Sequence, residues 1–119
     1  MKSVARVFVV SMGLSVISML TSSAFADAGQ AIRTILAEDD KFQVFEIRQK
    51  PGEVNTPSTS GSRVIRALSG GTLLRTYADG KTEKSVWKTG EVQIQGPGPQ
   101  YTVTNVGDTE VILYVVRAK

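Results

Sequence analysis

Pro51–Gly71 reads PGEVNTPSTSGSRVIRALSGG and contains a turn, a polar loop and a short strand in that order. Pro51-Gly52 ends the apolar segment before it. Glu53 to Ser62 is rich in Thr, Ser, Pro and Gly, whose side chains and backbone freedom favour turns over ladders, so it reads as a loop. Arg63 to Leu68 has the composition of a strand, and Ser69-Gly70-Gly71 breaks it. A second stretch, Gly90 to Asn105 (GEVQIQGPGPQYTVTN), has a half-buried strand at Glu91 to Gln95, a rigid Gly96-Pro97-Gly98-Pro99 double turn and a strand at Tyr101 to Asn105.

The flanking sequence continues in short strands. Lys41 to Gln49 carries Phe42, Val44, Phe45 and Ile47 and reads as a strand. Ala31 to Ala37 is ambiguous, since Ile32, Ile35 and Leu36 suit a helix face; its shortness and the Glu38-Asp39-Asp40 turn favour a strand. Asp27 to Gln30 reads as a loose leader. Thr72 to Tyr77 and Lys81 to Lys88 flank Ala78-Asp79-Gly80, a hairpin signal. A two-residue loop would place Arg75 opposite Lys84, whereas a three-residue loop with Gly80 left-handed places it opposite Glu83. Cross-strand pairs contribute roughly 0.2–1 kcal/mol, which favours the longer loop. The last strand, Glu110 to Arg117, is apolar at every position from Val111 to Val116. Such a run predicts cover on both faces, from the N-terminal segment folding back or from a second subunit. Short strands at this spacing predict an all-β fold, and a jelly-roll β-barrel closes them with little exposed edge.

The 119-residue chain opens on a basic lead containing Lys2 and Arg6, an apolar run from Val7 to Leu20, and small residues ending in Ala24-Phe25-Ala26. That order is a secretory signal peptide, with cleavage expected before Asp27. The run is shorter than the ~20 apolar residues of a membrane span and is interrupted by Ser11, Gly13, Ser15 and Ser18. Residues 1–26 are therefore a leader and 27–119 one small domain of 93 residues (119 less 26), expected in the periplasm or secreted, with no membrane association after cleavage. Losing Lys2 and Arg6 leaves 12 basic residues against 11 acidic ones. No basic cluster survives to recruit nucleic acid. With no cysteine in the chain, a disulfide framework and lipid attachment at cysteine are excluded.

The two quoted stretches resemble the paired motifs of the cupin superfamily. The first motif runs Gly, five residues, His, one, His, three or four, Glu, six, Gly; here Gly52 leads to Ser58, Ser60, Val64 and Gly71. The second runs Gly, five residues, Pro, one, Gly, two, His, three, Asn; here Gly90 leads to Gly96, Gly98, Tyr101 and Asn105, with Pro97 one place late. The resemblance covers roughly Ile32 to Lys119 and implies a cupin-like barrel that pairs through its sheets as a homodimer. It also implies that the family's metal ligands are replaced by Ser58, Ser60, Val64 and Tyr101, in a chain with no histidine at all. A serine hydroxyl is a poor ligand for a transition metal and valine is none. Glu38, Asp39, Asp40, Asp79 and Asp108 fall in predicted turns, so no metal and no other cofactor is expected.

Ser58 and Ser60 have no base beside them in sequence, which argues against nucleophilic catalysis and for hydroxyls bonded locally. If Val64 points into the barrel, alternation turns Arg66 and Leu68 inward too. Arg66 then needs a partner. Either Glu46 pairs with it and Tyr101 packs as core, or Arg66, Tyr101, Asn105 and the two serine hydroxyls form a pocket for a small anionic ligand. Trp87, the only tryptophan, reads as a core residue at a hairpin end. The favoured function is an exported, metal-free binding module for a small anion. The alternatives are a structural homodimer with a closed lumen, or an enzyme using carboxylates such as Glu46 and Glu91.

Overall fold

The computed structural model describes residues 29–119; the expected signal peptide and its cleavage point lie outside the described residues. Nine strands are described: β1 (Ile32–Glu38), β2 (Phe42–Gln49), β3 (Val54–Asn55), β4 (Arg63–Ser69), β5 (Gly71–Tyr77), β6 (Thr82–Trp87), β7 (Val92–Gln95), β8 (Tyr101–Asn105) and β9 (Val111–Ala118). They form a five-stranded sheet in the order β1-β2-β9-β4-β7 and a four-stranded sheet in the order β3-β8-β5-β6. The chain passes between the sheets after β2, β3, β4, β6, β7 and β8, which is the jelly-roll arrangement expected from the sequence.

The inner faces of both sheets supply the core. Phe45, Ile47, Ile65, Ala67, Val111, Leu113 and Val115 come from the five-stranded sheet, and Leu73, Trp87, Tyr101 and Val103 from the other. Trp87 is buried at the end of its hairpin strand, as its sequence position suggests. At one end Gln49 and Asn105 bolt the sheets together. Gln49 Nε2 donates to the carbonyls of Glu53 and Val103, and Asn105 Nδ2 donates to those of Gln49 and Thr109. Asn105 Oδ1 accepts from the Gly107 amide, so this buried amide pair leaves little unsatisfied.

The β5–β6 turn is the three-residue form. Arg75 lies opposite Glu83, Thr76 opposite Thr82, and Gly80 has φ 89°. A left-handed φ costs glycine nothing, which is why Asp-Gly can close this loop. Arg75 Nη1 stands 3.7 Å from Glu83 Oε1.

Three expectations change. Gly29 and Gln30 are not a loose leader: the Val54 amide donates to Gly29 O, the Ala31 amide donates to Val54 O, and Gln30 bridges Val54 in parallel. The predicted loop Glu53–Ser62 contains the two-residue strand β3, paired to β8. The run in β9 is not covered on both faces by the described chain. Val111, Leu113 and Val115 are core, while Ile112 and Val116 are half-buried and Tyr114 is exposed on the outside. Of the two covers considered, the described N-terminal segment is not one, because β1 extends the same sheet edgewise beside β2.

Candidate functional site

Strand β4 alternates in the opposite sense to the one its motif count suggests. Arg63, Ile65 and Ala67 are buried, while Val64 (41% exposed), Arg66 and Leu68 face outward. Counting four residues after Ser60 rather than three reaches Ile65, which does face the interior. A shift of one residue turns a whole strand over, so Val64 and Arg66 leave the site together. The Arg66–Glu46 pair is absent as well: Glu46 Oε1 accepts from Arg48 Nε at 3.1 Å on the outer face. The buried arginine of this strand is Arg63, at 6% exposure.

Arg63 belongs to a polar row running across the inner face of the five-stranded sheet. Glu38 is paired with Gln43, Gln43 with Arg117, Arg117 with Arg63, and Arg63 with Gln95. Arg63 Nη2 donates to Gln95 Oε1 at 3.1 Å and, across the barrel, to Tyr101 Oη at 2.7 Å. A third donor reaches the Gly61 carbonyl at 3.4 Å. All three acceptors are neutral. Burying an unpaired ion costs several kcal/mol, and each hydrogen bond to a charged group returns only about 1.5–3 kcal/mol.

Three more arginines line the same cavity: Arg33, Arg75 and Arg117. Arg33 Nη2 and Arg117 Nη2 both donate to Gln43 Oε1, at 2.6 and 3.1 Å. The Arg33 guanidinium lies 4.0 Å from the centre of the Phe45 ring, and that of Arg75 lies 4.4 Å from the Tyr101 ring centre. Arg117 Nε is buried without a hydrogen-bond partner among the described residues. Burial, and next the positive charge of Arg117, lower the Arg33 pKa below the ordinary guanidinium range; Glu38 opposes this. Of the four, only Arg75 makes an ion pair within the described chain, with Glu83 at the exposed edge of the hairpin.

The cavity measures about 60 Å³. A water needs roughly 10–15 Å³ on this measure, so there is room for about four to six heavy atoms. Below the arginines its walls are apolar, formed by Phe45, Ile65, Leu73, Trp87, Val103 and Val115. Ser58 and Tyr101 line it; Ser60 does not, being exposed with its Oγ 3.2 Å from that of Ser58. Asn105 faces inward but is spent on backbone groups at the far end.

The lining does not fit the family's divalent ion. Its charged groups are all guanidinium, which cannot coordinate and which repels a cation, and no carboxylate faces the cavity. Among the described residues no three His, Cys, Asp or Glu side chains cluster. The donors instead suit oxyanions. Because Tyr101 Oη already accepts from Arg63, its own proton is free for a second partner.

The sequence reading missed Arg33, Arg63, Arg75 and Arg117. One signal was available: Arg117 continues the Val111, Leu113, Val115 alternation onto the inner face. No comparable signal singled out Arg63.

No family model and no curated protein matches the chain. Solved structures do. A cupin domain from Bordetella pertussis Tohama I is 25% identical, covering 76% of this chain and 95% of that one with a TM-score of 0.68. An uncharacterised conserved protein with a double-stranded β-helix domain from Klebsiella pneumoniae is 22% identical, over 76% and 77% of the two chains, with a TM-score of 0.59. An RmlC-like cupin family protein from Methanocaldococcus jannaschii is 17% identical, over 77% and 83%, also at 0.59.

Proposed function

We propose that this chain, which belongs to the cupin superfamily, is an exported, metal-free binding module that takes a small organic anion into its barrel. The observation that carries this reading is Arg63, buried against neutral acceptors alone and facing three further arginines across a cavity without a carboxylate. An anion placed there gains charge-assisted hydrogen bonds and relieves the repulsion among the guanidinium groups. The apolar walls below would receive its carbon skeleton.

Thermal-shift titration with short carboxylic acids, and in parallel with manganese, nickel and zinc chlorides, tests the proposal. At a ligand concentration a hundred times Kd, binding adds about 2.7 kcal/mol, which for a domain this size raises Tm by roughly 10 °C or more. The acids are expected to give such a rise and the metal salts none. Arg63→Met should abolish the response to acids. A metal-dependent rise, or silence towards every acid, sinks the idea.

A second reading, a homodimer joined through its sheets, is favoured by the outer face of the five-stranded sheet. Val64, Leu68, Val92, Ile94 and Tyr114 lie exposed together there, across the adjacent strands β9, β4 and β7. The two readings are compatible, since the cavity opens on the other side of that sheet.

A further inference from the structure

Building on the anion reading, we infer that the preferred ligand carries two negative charges: a short dicarboxylate with one carboxylate held by Arg63, Arg117 and Tyr101 and the other facing Arg33. Arg63 and Arg117 are direct cross-strand partners, and both point inward. Like charges opposite one another on neighbouring strands destabilise a sheet, so this pairing needs an acceptor between its two forks. The chain supplies a neutral version of such an acceptor one strand further along, where Gln43 Oε1 takes donors from both Arg117 and Arg33. That amide oxygen cannot neutralise either group.

Counting charge gives the ligand's valence. Arg75 has Glu83, which leaves the buried Arg63 and half-buried Arg117, with the solvent-exposed Arg33 beside them, without an ion-pair partner among the described residues. A single carboxylate answers the inward-facing pair Arg63 and Arg117; a second carboxylate would meet the solvent-exposed Arg33, because Glu38, at the end of the same polar row, is already paired with Lys119. Carbon is favoured over phosphorus or sulfur because Phe45, Ile65 and Val115 form the wall between the arginines and the core. The volume of about 60 Å³ encloses one carboxylate and its short carbon link, so a chain of two or three carbons already brings the second carboxylate out to the solvent-exposed Arg33.

Isothermal titration of the purified protein at pH 7.5 in a buffer without carboxylate or phosphate separates the outcomes. Malonate should bind at least about tenfold more tightly than propionate, and more tightly than sulfate or inorganic phosphate. Arg117→Gln should shrink the malonate-to-propionate ratio to about threefold or less. If that variant does not fold, the ratio in the unaltered protein decides alone. Equal binding of propionate and malonate overturns the dianion while leaving the anion site standing. Tighter binding of sulfate or phosphate than malonate overturns the dicarboxylate. Silence towards all four ends both readings.

Discussion

Asn105 and Arg63 are both buried polar residues on the inner face of the barrel, and they differ in what their donors reach. Asn105 gives its two amide protons to the carbonyls of Gln49 and Thr109 and receives one from Gly107, so its polarity is consumed by the scaffold. Replacing it with leucine orphans those groups at about 1–3 kcal/mol each. Asn105→Leu is therefore expected to lose about 2–4 kcal/mol by urea denaturation while the folded fraction keeps its affinity for malonate. Lost affinity in that fraction would return Asn105 to the site. Its motif spacing made Asn105 legible in the sequence as an inward-facing residue, but spacing cannot say whether an amide serves a ligand or a backbone. For Arg63 the difficulty was symmetry. Strand β4 offers Val64 and Leu68 on one face and Ile65 and Ala67 on the other, with one arginine on each, so hydrophobicity could not choose. Only pairing with Arg117 and Gln95, a property of strands distant in sequence, decides which arginine is inside.

Turns were far more legible than faces, because their chemistry is local. Opposite charges and a permissive glycine sufficed to choose the Ala78–Gly80 loop, and the structure has that loop. Strand β3 stayed hidden in a Thr- and Pro-rich segment because two residues of pairing leave no periodicity to detect. Several turns are held by carboxylates. Asp39 accepts from the Phe42 and Lys41 amides, which lower its pKa. Glu91 accepts from the Lys88 amide and then from Gln93, with the same result. Glu38 is lowered chiefly by Lys119 and next by Gln43. A carboxyl with a lower pKa folded than unfolded takes up its proton more readily in the unfolded chain, so its contribution is intact above the ordinary carboxylate range and is lost as pH falls through the folded value. The melting temperature should be level from about pH 7 to pH 5 and fall below about pH 4. Asp39→Ala should lower the plateau and shallow the fall. A melting temperature that rises between pH 5 and pH 3 would contradict this account of the turns.

For the molecule as a whole, the jelly roll leaves two surfaces to explain: an arginine-lined interior and an apolar exterior on the five-stranded sheet. The exterior predicts self-association, as contiguous exposed apolar area commonly does. Ile94, 80% exposed and next to Val64 across the strand pair, is a sensitive probe. Ile94→Glu should convert a dimer to a monomer in analytical ultracentrifugation without lowering malonate affinity; a wild-type monomer at micromolar concentration removes the homodimer. The interior has a practical corollary. Small oxyanions such as acetate or phosphate, present in a column buffer in large excess, would compete for the same guanidinium groups even where they bind more weakly than the proposed dicarboxylate. Protein handled in such salts would respond weakly to acids added afterwards, so dialysis into an amine buffer with chloride is the first step in testing the proposed anion site.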